Sequence, residues 1–143
     1  MKRSISVFLA VILVSFGILA SINKTSAAFL QPDHITVYYF HSSMRCPTCY
    51  KLEQYSKEAV ETYFKNEIVS GKVEFRAVNI EDKANEHFVK DYQLYTKSLV
   101  LSLVKDGKEI KAKNLEKIWE YAMDKQRFFS YVKAEIADFL KER

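Results

Sequence analysis

The sequence has few of the residues that break secondary structure or build the common phosphate and nucleophile motifs. Its 143 residues include three glycines, two prolines and two cysteines. With glycine this sparse, no glycine-rich phosphate loop is present, and neither a paired-carboxylate site nor a serine nucleophile motif appears. The sequence also has no internal repeats, low-complexity segments or linkers. Its length and ordinary globular composition indicate one domain with a sizeable core.

The positive net charge of +4 does not indicate a nucleic-acid partner. Lys2, Arg3 and Lys24 are three of the 22 Lys and Arg residues, and they lie within residues 1–28, which hold none of the 18 Asp and Glu residues. The rest of the chain is therefore close to neutral and lacks the basic surface that phosphate binding requires. We expect no nucleic acid among the partners.

The first residues have the pattern of an export signal. A short basic start at 1–4 precedes an apolar run at 5–20. Ser26, Ala27 and Ala28 then supply the small residues that a signal peptidase needs.

An uncleaved membrane anchor is the alternative, because residues 5–22 are just long enough to span a bilayer. We expect residues 1–28 to be a signal peptide or an N-terminal membrane anchor, and residues 29–143 to form the folded domain. The protein is then extracytoplasmic: secreted, periplasmic or membrane-anchored at the cell surface, where disulfides persist. Contact with a membrane is expected only through the N-terminal segment, if it is uncleaved.

The spacing of apolar residues predicts strands and helices in the order β-α-β-α-β-β-α-α. Strands are expected over residues 35–41, 73–80, 98–104 and 109–113, and helices over 47–68, 83–92, 115–122 and from 125 to the end. Asp82 and Asn114 are expected to cap the second and third helices. The Asp106-Gly107 pair predicts a hairpin turn, which makes the last two strands antiparallel, whereas strands joined through a helix are parallel.

The two cysteines form the motif Cys46-Pro47-Thr48-Cys49 between the first predicted strand and the first predicted helix. A structural disulfide is one interpretation, but closing so short a loop contributes about 2 kcal/mol, against roughly 5 kcal/mol for a hundred-residue loop. Stability therefore explains the placement poorly. A dithiol at a strand-to-helix junction is typical of a redox site.

The position of Cys46 makes it the candidate nucleophile. Pro47 suits the first position of a helix, whose free amide groups would point at the Cys46 sulfur. Arg45 adds a positive charge, and both features stabilise the thiolate, lowering its pKa from about 8.5. Cys49 lies one turn further along and is the candidate resolving cysteine, which attacks the mixed disulfide.

Two neighbouring residues could assist the thiols. His41 lies five residues before Cys46 and is a candidate for proton transfer. Its alternative is a strand-end histidine hydrogen-bonded to the backbone. Glu53 lies one turn past Cys49, although a solvated helix charge is the simpler interpretation of that residue.

The element order, the Cys46–Cys49 motif and the apolar strand and turn at 98–107 together resemble thioredoxin. The resemblance implies an α/β, thioredoxin-like fold, with a central mixed sheet of about four strands flanked by helices and an extra C-terminal helix. It also implies a thiol-disulfide oxidoreductase with a redox-active Cys46–Cys49 disulfide and no other cofactor. Arg45 stands where thioredoxins commonly have tryptophan, and no proline lies at 98–99, where they have a cis-proline.

A narrower resemblance covers most of the chain after the leader. Several short motifs are similar to the nitrophenyl compound nitroreductase subunit ArsF family, whose members are exported or cell-surface bacterial thioredoxin-like proteins. The resemblance implies a protein thiol or disulfide partner and an electron-transfer role beside a partner reductase. The motifs are Tyr38-Tyr39-Phe40-His41, Arg45-Cys46-Pro47-Thr48-Cys49, Glu86-His87-Phe88, Asp91-Tyr92 and Asn114-Leu115-Glu116-Lys117-Ile118-Trp119.

Two other function classes fit the same residues. Met44, Cys46 and Cys49 match the Met-x-Cys-x-x-Cys loop of heavy-metal-associated domains, which predicts a soft-metal, Cu(I), binding or delivery module. A Cys-Cys-His site that uses His41 is a related alternative. The missing proline favours metal, but heavy-metal-associated domains lack the C-terminal helices predicted here. A non-catalytic adapter subunit, whose aromatic surface docks a partner enzyme, is the second alternative.

Overall fold

The computed structural model describes residues 32–143, and the predictions for residues 1–28 lie outside this range. The strands are β1 His34–His41, β2 Val73–Asn79, β3 Ser98–Lys105 and β4 Lys108–Asn114, and the helices are α1 Pro47–Tyr63, α2 Lys65–Val69, α3 His87–Asp91 and α4 Lys125–Lys141, with a 3-10 helix at Glu116–Ile118. In this part of the chain, no helix is long and apolar enough to cross a membrane.

The four strands form one mixed sheet in the order β2-β1-β3-β4. β1 is parallel to β2 and antiparallel to β3, and β3 is antiparallel to β4. The predicted hairpin is confirmed: Asp106 and Gly107 both have positive φ, 49° and 73°, as the tight turn requires. The ends of β1, β2 and β4 and the start of β3 therefore meet at one edge, where α1 begins.

The face of the sheet that carries α1 and α4 holds the larger of two apolar clusters, called here the main core. Alternate residues of β1 and β3 point to this face, as the two-residue period of a strand requires. Its fully buried members include Ile35, Val37 and Tyr39 of β1, Leu99, Leu101 and Leu103 of β3, Leu52 and Val60 of α1, and Phe128, Val132 and Ile136 of α4. The start of α1 is thus fixed against a closed interior.

The opposite face carries α3 and a smaller group, called here the aromatic cluster. Its buried members are Phe40, Leu94 and Val100, and Tyr38, Val78, Ile80, Phe88 and Tyr92 pack against them while partly exposed. Because α3 has only five residues, it covers this face incompletely.

The first predicted helix is divided in the structure. Helical geometry stops at Phe64, where φ is −124° and ψ is 30°, and α2 begins at the next residue. Phe64 is 5% exposed and packs in the main core. α2 ends just before Gly71, which has a φ of 70° and whose amide donates to the Ile68 carbonyl at 3.0 Å.

The predicted helix over 83–92 is mostly wrong. Only His87–Asp91 is helical, and no side chain caps it. Asp82 instead accepts from the Asn79 side chain at 3.2 Å, and its carbonyl accepts from the Asn85 amide at 2.7 Å. These bonds fold the segment after β2 into turns and leave Asp82 no helix to cap.

The helix predicted over 115–122 is also wrong, and its place is taken by the 3-10 helix Glu116–Ile118. Asn114 is the last residue of β4 rather than a cap. The Leu115 amide donates to the Leu99 carbonyl at 2.7 Å, which continues the pairing with β3. The final helix is confirmed as α4, with Asp124 as its N-cap accepting from the Arg127 amide at 3.1 Å.

Candidate redox site

Cys46 is the N-cap residue of α1, with extended backbone angles of φ −87° and ψ 164°. Its sulfur accepts a hydrogen bond from the Cys49 amide at 3.2 Å, and Pro47 occupies the first turn, which contains no acidic residue. An amide donor and the positive end of a helix both favour a negative charge on this sulfur. The site can therefore stabilise a thiolate at Cys46.

Cys46 and Cys49 form a disulfide, with their Cα atoms 5.1 Å apart. The two residues differ sharply in exposure: Cys46 is exposed, whereas Cys49 is 2% exposed. An external thiol or disulfide can therefore reach the sulfur of Cys46, whereas Cys49 is shielded by the protein.

Tyr39 holds the backbone at the buried cysteine. Its hydroxyl donates to the Cys49 carbonyl at 2.7 Å, and the side chain is fully buried in the main core. Burial raises the pKa of Tyr39 to about 12, while the nearby positive charge of Arg45 acts in the opposite direction. The phenol is thus a neutral donor at physiological pH, and it ties β1 to the first turn of α1.

Arg45 lies over the first turns of α1 rather than in solvent. Its side chain is 13% exposed and forms an ion pair with Glu53, whose side chain is 26% exposed. Its guanidinium carbon lies 4.3 Å from the centre of the Tyr50 ring. Glu53 is therefore not the solvated helix charge favoured from sequence, and the positive charge assigned to the thiolate is shared with a carboxylate.

One nitrogen of Arg45 has no partner. Among residues 32–143, its Nε is the one buried side-chain nitrogen or oxygen without a hydrogen bond. Buried donors are almost always paired in proteins, so such an atom calls for a physical explanation.

The loop before Cys46 is hydrogen-bonded to the end of β2 and the segment that follows it. The Ser43 amide donates to the Glu81 carboxylate at 3.1 Å, and the Asn79 side chain donates to the Ser43 hydroxyl at 3.1 Å. Hydrogen bonds from Ser43 lower the pKa of Glu81. Both contacts tie the loop to the carboxyl end of β2.

His41 is half-buried at the end of β1. Its Nδ1 donates to the Ser42 carbonyl at 3.1 Å, and its ring stacks beside Tyr39 with 6.4 Å between centroids. This is the backbone-bonded arrangement weighed from sequence. A part in proton transfer stays a prediction.

The residue at the start of β3 is a serine, at the position where thioredoxins have a cis-proline. Ser98 is 4% exposed, its hydroxyl donates to the Thr96 carbonyl at 2.9 Å, and it pairs with Phe40 across the sheet. Next to it, on the side of the aromatic cluster, lies a cleft of about 530 Å³, lined by parts of segments 91–100 and 112–119. Trp119 borders this cleft and donates its indole N–H to the Lys97 carbonyl at 2.9 Å.

The three residues of the soft-metal alternative differ in their surroundings. Met44 is 85% exposed, and both cysteines are engaged in the disulfide. Within residues 32–143, no group of three or more His, Cys, Asp or Glu side chains is placed to hold a metal ion. Metal binding by the reduced form stays a prediction.

Comparisons with known proteins found matches at the level of structure only. No family model and no curated protein sequence matches the chain. Fasciola hepatica thioredoxin is similar with a TM-score of 0.40 and 20% identity, over 65% of this chain and 82% of that one. The first two thioredoxin domains of Saccharomyces cerevisiae Eps1p are similar with a TM-score of 0.39 and 20% identity, over 69% of this chain and 39% of that one. Chlamydomonas reinhardtii thioredoxin f2 is similar with a TM-score of 0.34 and 17% identity, over 68% of this chain and 82% of that one.

The strand order and strand directions of this chain decide its class. The fold is thioredoxin-like. The sheet has the expected mixed pairing of four strands, helices flank both faces, α4 closes the C-terminus, and the cysteine pair opens α1. The narrower assignment to the ArsF family has no support from these comparisons and stays a prediction.

Sequence reasoning located both cysteines and Arg45 but missed Tyr39 as part of the site. The sequence predicts a strand at Tyr39 but no role for it at the dithiol, although a buried phenol usually needs a partner for its hydroxyl. The alternation of β1 could have placed Tyr39 on the face that α1 covers. The choice of the Cys49 carbonyl as its acceptor depends on the angle between helix and sheet, which the sequence does not encode locally.

Proposed function

We propose that the protein is a thiol-disulfide oxidoreductase that cycles Cys46 and Cys49 between dithiol and disulfide. The observation that carries this proposal is the asymmetry of the pair. Cys46 is an exposed N-cap residue with an amide donor on its sulfur, and Cys49 is buried one turn along the same helix. One sulfur is accessible and activated, and the other is protected until the first has reacted.

In the reducing direction, the Cys46 thiolate attacks one sulfur of a partner disulfide. The partner's S–S bond breaks, and its second sulfur leaves as a thiolate that takes up a proton. The Cys49 thiol then gives up its proton and attacks the Cys46 sulfur, which releases the partner's first sulfur as a thiol. Two electrons have moved to the partner, and the protein is left as the disulfide. The reverse sequence oxidises a partner dithiol.

We further propose that this exchange takes place outside the cytoplasm with a protein partner. The basic start, apolar run and small residues of the leader support export, and extracytoplasmic compartments allow disulfides to persist. The resemblance to the ArsF family supports a reductase as the partner, with this chain as its electron-transfer subunit.

The test uses two matched cysteine variants of the full chain. Cys49→Ser leaves Cys46 able to attack but removes the residue that resolves the mixed disulfide, so we expect a stable adduct with a protein disulfide substrate, located at Cys46 by mass spectrometry. Cys46→Ser is the control and is expected to trap none. In the native host, the same Cys49→Ser variant is expected to capture the partner.

Two results would overturn the proposal. One is the absence of any adduct on Cys49→Ser after incubation with disulfide substrates. The other is full function of the double variant Cys46→Ser/Cys49→Ser in the host, which would favour the adapter alternative.

A further inference from the structure

The positive charge nearest to Cys46 in the sequence is already paired. Arg45 reaches along α1 to Glu53, which lies one turn past Cys49. Residues four apart on a helix share one face, so Cys49 and Glu53 lie on the same side of α1. The pair thus joins the residue directly before Cys46 to a residue one turn past Cys49, and both side chains are mostly shielded from solvent.

The same arginine carries a donor that the disulfide form does not use. The Arg45 Nε is buried without a hydrogen-bond partner, and Arg45 directly precedes Cys46 in the chain. In the disulfide form neither sulfur is charged. Reduction creates an anion at Cys46, and a sulfur anion is an acceptor for a charged donor.

We propose that Glu53 is a positioning residue for the redox site: its ion pair with Arg45 withholds that positive charge from the Cys46 thiolate and so sets the reduction potential of the Cys46–Cys49 pair. This inference rests on the proposed thiol-disulfide chemistry. Reduction adds two electrons and two protons from a partner dithiol, and a less stable Cys46 thiolate makes the dithiol form harder to reach.

Three other charged or titratable groups near α1 have partners of their own. Tyr39 of β1 faces Arg45 and Cys49 as a neutral phenol. Glu81, from the segment after β2, is held by the Ser43 amide. Lys51 of α1 points away to the Met123 sulfur, 3.6 Å from its Nζ. Arg45 is the cation adjacent to Cys46 in the chain, and its partner is Glu53.

The expected effect follows from releasing Arg45. An opposite charge within about 4–6 Å changes the relative stability of the charged and neutral forms of a group by tenfold or more. Glu53→Gln is therefore expected to shift the dithiol–disulfide equilibrium about tenfold toward the dithiol, which corresponds to about 30 mV for a two-electron couple. Arg45→Gln is expected to shift it in the opposite direction.

The experiment is a double-variant cycle on the reduction potential. Wild type, Glu53→Gln, Arg45→Gln and the double variant are equilibrated in thiol buffers, and the reduced fraction is read from alkylated masses. Glu61→Gln is the matched control, because Glu61 is on the same helix with its side chain 57% exposed. If Glu53 acts through Arg45, Glu53→Gln shifts the potential much less in the Arg45→Gln background than in wild type.

Two outcomes overturn the inference. Glu53→Gln with the same potential as Glu61→Gln would show that the ion pair is only structural. Equal shifts in both backgrounds would show that Glu53 acts as an independent charge. Glu53→Asp, which keeps the charge, is measured alongside and is expected to stay closer to wild type than Glu53→Gln does. The reduction potentials are measured without a partner protein. The inference about Glu53 can therefore be overturned while Cys49→Ser still traps a mixed disulfide, and trapping can fail while the Glu53 effect on the potential is observed.

Discussion

The two faces of the sheet differ in how completely they are buried, and the dithiol lies at the start of a helix on the more completely buried face. On one face, α1 and α4 enclose the main core, whose central residues have no solvent exposure. On the other, the five-residue α3 covers an aromatic cluster in which Tyr38, Phe88 and Tyr92 remain partly exposed. Because α1 is held by the main core, the reactive end of that helix has a rigid support.

The largest expected difference between the faces is in the cost of removing an aromatic ring. Phe128 of α4 is fully buried in the main core, so Phe128→Ala is expected to lower the free energy of unfolding by about 3–5 kcal/mol. Phe88→Ala, in the aromatic cluster, is expected to cost about 1–2 kcal/mol because the ring is only half-buried. Urea unfolding of both oxidised variants gives the comparison, and equal losses would contradict it.

A smaller difference is expected at alkaline pH. Burial raises the pKa of Tyr39 from 10.0 to about 12, so the unfolded chain loses this proton first and stability falls as the pH rises from about 10 to 12. The slope from this group alone is about 1 kcal/mol per pH unit. Tyr39→Phe is expected to reduce the fall, whereas Tyr95→Phe, at a side chain that is 93% exposed, is expected to leave it unchanged. The same alkaline fall in both variants would refute the assignment.

The smallest expected difference concerns two tyrosine hydroxyls at neutral pH. Tyr39→Phe removes the buried bond to the Cys49 carbonyl and is expected to cost about 1 kcal/mol. Tyr92→Phe removes a bond of 2.5 Å to the exposed Glu109 carboxylate, which keeps its partner Ser102, so a loss of about 0.5 kcal/mol or less is expected. Thermal unfolding of both variants measures the order, and a larger loss for Tyr92→Phe would reverse the comparison.

The sheet and the main core could be predicted from sequence because their signals are local and strong. The β-branched and aromatic residues of β1 predict a central strand, and the Asp106-Gly107 pair predicts the hairpin. The segments around α3 and after β4 could not, since hydrogen bonds that compete with helix formation decide them, local ones around α3 and cross-strand ones after β4. Asp82 is drawn into turns with Asn79, and Leu115 continues the pairing with Leu99 instead of starting a helix.

The candidate site was predictable in its reactive atoms but not in its supports. The spacing of the two cysteines at a strand-to-helix junction placed Cys46 at the start of a helix, and the structure has it as the N-cap. The pairing of Arg45 with Glu53 joins residues eight apart, across the junction of loop and helix. Periodicity within one element carries no signal for such a contact, so the sequence does not distinguish the Glu53 carboxylate from an ordinary surface charge.

The relative reactivity of the two thiols tests the central claim most directly. The fully reduced protein is treated at neutral pH with less than one equivalent of iodoacetamide, and the modified cysteine is identified by peptide mass spectrometry. The exposed N-cap thiolate predicts that Cys46 reacts about tenfold faster than Cys49, or more. Equal labelling of the two cysteines, or faster labelling of Cys49, would contradict the assignment of Cys46 as the nucleophile.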